Sequence, residues 1–125
     1  DVEKEFGKAL GSDVAGYRDA LVATAIEAKQ RRSVTSEAFV VDDALRQAVV
    51  ARLAAKGITL SPEAQANGRS LMDEHIAFEV SRYVFGRQAE LRRRAATDPQ
   101  VQAAVALLHA SSSPAALMLQ VSRAP

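Results

Sequence analysis

Apolar positions recur at intervals of three and four along most of the 125-residue chain, with no sustained alternation, so the pattern predicts helices and no strands. Val2, Phe6 and Leu10 place a short helix at the start, and Gly11 ends it. Asp13 is positioned to cap a second helix, whose stripe is Val14, Tyr17, Leu21, Ala25 and Ala28, with Val22 and Ile26 beside it. Lys29, Arg31 and Arg32 close that helix, where cations complement the negative end of the backbone dipole. The stretch SVTSEAFVV has no helical period and reads as a connector that buries Phe39 and Val41. Asp42 caps a third helix with Leu45, Val49, Val50, Leu53 and Ala54 on its inner face. Lys56-Gly57 stops it, and Ile58 is placed to fold back over the last turn.

Ser61-Pro62 joins a capping side chain to the residue favoured at the first helical position, and opens a helix expected from about Pro62 to about Ala95. Its stripe of Leu71, Met72, Ile76, Phe78, Val80, Tyr83, Val84, Phe85 and Leu91 is wide enough to need packing on more than one side, while Gly68 and Gly86 weaken it locally. Thr97-Asp98-Pro99 stops and restarts the pattern, and Val101, Val105 and Leu108, with Leu107, form the face of a final helix. Ser111-Ser112-Ser113-Pro114 then breaks it, leaving a tail with Leu117, Met118, Leu119 and Val121. The expected fold is all-α: an irregular bundle of roughly four to six helices with one long central helix. The bundle is expected over residues 1–110, with a linker and apolar tail over 111–125.

Composition sharpens this picture. Of the 60 apolar residues, 25 are alanine, which favours helix and close helix approach but leaves few large side chains for a core. A net charge of +1 argues against a general affinity for nucleic acid or anionic membrane, so any charged site must be local. Without cysteine there is no disulfide, thiolate metal site or cysteine nucleophile. No apolar run approaches the roughly 20 residues needed to span a bilayer, so no transmembrane segment is expected.

The order AFVVDDALRQAVVARLAAKGITL, followed by a helix ending in EVSRYVFGRQAELRRRAATDPQVQAAVALL, carries a recognisable set of elements. These are Phe39-Val40-Val41-Asp42-Asp43, Lys56-Gly57-Ile58, Phe85-Gly86 and Asp98-Pro99-Gln100-Val101-Gln102. In that order and spacing they resemble the C-terminal helical region that follows the catalytic core of bacterial carboxy-terminal processing (tail-specific) proteases. The resemblance implies a parent enzyme with a serine nucleophile, a lysine general base and a PDZ module, in the periplasm or cell envelope. It implies for this chain a non-catalytic role: packing on the protease core, self-association or adaptor docking. No catalytic residue carries over, because a lysine base must be desolvated beside its serine, whereas Lys4, Lys8, Lys29 and Lys56 fall at helix ends or on polar faces.

Four groups of residues are candidate sites. The amphipathic first helix and the tail offer an interaction surface of Phe6, Leu10, Leu117, Met118, Leu119 and Val121. Arg87, Arg92, Arg93 and Arg94 are candidate anion contacts, although three successive arginines point to different sides of a helix. Read as one surface from Arg82 to Arg94, they support the alternative of a free-standing helical regulator that binds nucleic acid, but no base-reading helix accompanies them and no nucleic-acid partner is expected. His75 and Glu79 have the i, i+4 spacing of two metal ligands, with Glu74 adjacent, yet the set is too small, and neither metal nor cofactor is expected. Phe78, Tyr83 and Phe85 are assigned to core packing, and His109 to the end of its helix.

Overall fold

The computed structural model describes residues 2–110. Among them it contains seven α-helices and no strand, which makes the protein an all-α irregular bundle. The helices are α1 (Val2–Leu10), α2 (Val14–Arg31), α3 (Asp43–Ala55), α4 (Pro62–Asn67), α5 (Arg69–Phe85), α6 (Arg87–Thr97) and α7 (Pro99–Ala110), with a 3-10 turn at Gly11–Asp13. The described residues divide into two units, one up to Glu90 and one from Leu91 onward, with the division inside α6. The tail residues Leu117, Met118, Leu119 and Val121 lie outside the described residues. So do the side chains of Val101, Val105 and His109.

In the first unit α2 is the axis. Tyr17 near its start meets His75 of α5, and Ile26 further along shares a groove with Val84, so α2 and α5 run parallel. Residue Ile58, just after α3, lies against Gly16 at the start of α2, whereas Ala44 at the start of α3 lines a cavity with Arg31 at the end of α2. Helix α3 is therefore antiparallel to α2. Between them sit Leu21, Ala25, Val49, Leu53, Met72, Ile76 and Val80, all buried. Small side chains let the helices close in: Ala20, Ala25 and Ser81 are fully covered, and the buried Thr24 hydroxyl donates to the Ala20 carbonyl at 2.8 Å.

Local signals explain most boundaries. Asp42 accepts from the Leu45 amide at 2.9 Å and Ser61 from the Ala64 amide at 3.0 Å, each satisfying an amide that the first turn leaves without a partner. At the end of α3 the Gly57 and Ile58 amides donate to the carbonyls of Ala54 and Leu53, with Gly57 at φ +77. This is the paired bonding of a left-handed helix stop, and it brings Ile58 into the core. The connector buries Val41 and tucks Phe39 against the core while leaving Val40 82% exposed.

Three expectations need correction. Asp13 stands at the start of α2, but its side chain makes no capping bond, because the 3-10 turn enters the helix directly. Ala54 is exposed, and Val14, at 47%, is too. The single helix expected over 62–95 is broken into α4, α5 and α6. Gly86 causes one break: its φ of +101 and ψ of 173 lie where side chains beyond glycine are strained. The other falls at Gly68, at φ −94 and ψ 4, where a Cβ would stand 2.3 Å from Cδ2 of Phe6. The ring of Phe6 occupies the space beside Gly68 and ties α1 to α4.

Candidate functional site

The surface predicted around the first helix does not exist as such. Phe6 and Leu10 are only 4% and 5% exposed and belong to the core, because the helix turns its apolar face inward onto α4 and Tyr17. Among that helix's apolar stripe, Val2 is the one that remains open to solvent.

The arginines divide between the two units. Arg87 is exposed and stands 3.7 Å from the buried Glu90 carboxylate, a turn away on the same helix. Arg92, Arg93 and Arg94 belong to the second unit, and each already interacts within the chain. Burial holds the Arg93 guanidinium below its ordinary pKa, the reverse of what an open anion contact would do.

His75 is half-buried, and the Tyr17 hydroxyl lies 2.8 Å from its Nδ1. Tyr17 is wedged edge-on between the rings of Phe6 and His75 at centroid distances of 5.3 Å and 5.7 Å. The aromatic trio explains why a histidine occupies this inner position, and among the described residues no three His, Asp or Glu side chains gather as metal ligands would. Burial, and secondarily the negative charge of Asp73, pushes the Tyr17 hydroxyl well above its ordinary pKa of 10.0. A folded-state value raised in this way gives stability that is complete below the unfolded pKa and drains away as pH rises through the folded value. Unfolding free energy is therefore expected to fall above pH 10.0, and to fall less steeply in Tyr17→Phe. Urea titrations across that range provide the check; identical pH profiles for the two proteins would contradict the assignment.

Two hollows remain. A cavity of about 360 Å³ lies between the end of α2, the connector and the start of α3, lined among others by Thr24, Glu27, Arg31, Phe39, Asp42 and Leu45. Its charges are already used: Glu27 bridges Arg31 at 3.3 Å and also holds Arg52 of α3, and Asp42 caps its helix.

The second hollow is an open groove of about 790 Å³ where the parallel helices α2 and α5 end side by side. Ile26, Val34, Tyr83, Val84 and Phe85 give it apolar walls, while Lys29, Gln30 and Arg32 line its edge. Arg82, next along α5, places its guanidinium 5.7 Å from the Tyr83 ring centre, adding a further cation nearby. The groove owes its edge to an unusual turn. Arg32 ends α2 in the left-handed region at φ 53 and ψ 36, a conformation that costs an L-residue other than glycine about 1–2 kcal/mol. Sequence periodicity assigned Tyr83, Val84 and Phe85 to the core, and they are only half-buried. The visible clue was the width of the stripe on α5, which exceeds what one packing partner covers.

No protein-family model matches the chain, and neither does any curated protein or solved structure. Among the described residues no helix is long and apolar enough to cross a membrane.

Proposed function

We propose that this chain is a non-catalytic helical interaction domain, the C-terminal part of a carboxy-terminal processing serine protease. The observation that carries this reading is where the resembling residues fall. Phe39 and Val41 anchor the connector, Asp42 caps α3, Gly57 and Ile58 form its stop, Gly86 separates α5 from α6, and Asp98 accepts from the Gln100 amide at 2.8 Å as α7 begins. They are the joints of the chain, the positions at which one backbone would be preserved while helix surfaces changed.

The non-catalytic role is supported by the lysines. Lys4, Lys8, Lys29 and Lys56 are all exposed, whereas a lysine that serves as the base for a serine is desolvated beside it. Packing on the protease core, holding subunits together and receiving an adaptor are the roles this reading allows, with the parent in the periplasm or cell envelope.

Sequencing the gene upstream of the Asp1 codon is the direct test. A PDZ module followed by a serine-lysine peptidase core is expected there; an initiator methionine immediately before Asp1 would remove the parentage. Independently, the purified chain should hydrolyse no fluorogenic peptide, and turnover that persists through repurification would sink the non-catalytic role.

A further inference from the structure

We propose that the groove at the shared end of α2 and α5 docks an acidic peptide segment carrying apolar side chains, contributed by another protein. This goes beyond the function proposed above and does not depend on the parent enzyme. Large side chains are scarce in the chain, yet two of its six aromatics, Tyr83 and Phe85, are only half-buried and line an open groove, Tyr83 also packing against the core. Ile26, 37% exposed, and Val34 face them across it. Apolar walls of this kind give a partner something to bury.

Charge selects the partner. Among the described residues, the charged ones lining the groove are Lys29 and Arg32, both cations and both exposed. Both also sit at the negative end of the α2 dipole, where the Arg32 amide donates to the Lys29 carbonyl and the Ser33 amide to that of Ala28, each at 3.2 Å. Among the described residues Arg32 is the one non-glycine at positive φ. Glycine would relax that turn, so the position carries a guanidinium at a conformational cost, and strain of this sort marks places where the side chain has a use. Apolar walls edged by cations are complementary to a segment that carries carboxylates beside apolar residues, and repel a basic one.

The test is fluorescence anisotropy on the full chain with a fluorescein-labelled peptide of sequence Glu-Leu-Leu-Glu-Phe-Leu-Glu, beside a counterpart with lysine at each glutamate. The acidic peptide should bind saturably and more weakly as salt is added, and the basic one should not bind. Lys29→Gln combined with Arg32→Gly should weaken binding roughly tenfold, the loss of two exposed ionic contacts. Its thermal melt should hold, because glycine suits the turn. Val84→Asp should abolish binding. Equal binding of both peptides, no binding of the acidic one, or full affinity in the double variant would overturn the proposal. So would a concentration-dependent dimer in sedimentation that Val84→Asp dissolves, which would give the groove to a second copy of the chain.

Discussion

Gly68→Ala is expected to destabilise the protein by about 1–3 kcal/mol, although alanine is ordinarily the better helix residue by about 1 kcal/mol. Backbone strain is not the cause, for Gly68 has φ −94, which any residue tolerates. The cause is contact: the added Cβ would lie 2.3 Å and 2.7 Å from two carbons of the Phe6 ring. That ring cannot step aside cheaply, being 4% exposed and packed edge-on against Tyr17. The overlap therefore outweighs propensity while the ring is present. With Phe6→Leu the same Gly68→Ala change should cost far less, a coupling of about 1–2 kcal/mol in a double-mutant cycle measured by urea unfolding. Additive effects would mean that Phe6 does not fill the space beside Gly68.

The contact also explains where periodicity stopped being informative. Gly68 and Gly86 both look like tolerated weak points in one amphipathic run, and nothing within residues 62–95 separates a weakened helix from a broken one. What fills the space beside Gly68 is a phenylalanine some sixty positions earlier, a distance over which no local pattern reports. Signals that act within a turn were readable: the caps at Asp42 and Ser61, the stop at Gly57 and the burial of Val41 and Ile58 follow from short-range hydrogen bonding and steric rules. Asp13 shows the boundary of that reasoning, since a capping residue type lost its role when the preceding chain stayed helical.

The site was less legible for a related reason. A stripe of apolar residues reports that a face will be covered, but it does not report by what. For Phe6 and Leu10 the cover is supplied inside the bundle by Tyr17 and the α4 region, so a surface that looked available is closed. For Tyr83, Val84 and Phe85 the neighbouring α2 covers only part, because its own end bears Lys29 and Arg32 where more apolar residues would have been needed. Closed core and open groove are built from the same residue types, and only the pairing of helices distinguishes them.

Asp73→Ala is expected to cost about 2–3 kcal/mol, the loss of a charged hydrogen-bonded pair that is screened only in part. Both oxygens of Asp73 are engaged by Arg46, from Nε at 2.7 Å and from the second terminal nitrogen at 3.0 Å, and the same nitrogen reaches the Val41 carbonyl at 3.0 Å. One guanidinium thus ties α3 to α5 and to the connector, and Asp73 above all raises its pKa. The side chains of Arg46 and Asp73 are 19% and 27% exposed, so removing the carboxylate leaves a cation that water compensates poorly. Asp43 also touches Arg46, at 2.6 Å, but is 86% exposed, and Asp43→Ala should cost less than about 0.5 kcal/mol. The contrast separates burial from charge, since each substitution removes one carboxylate beside the same arginine. Chemical unfolding of the two variants decides it: equal losses would mean that the bridge between α3 and α5 is no stronger than a surface pair, and that the connector is held by Phe39 and Val41 alone.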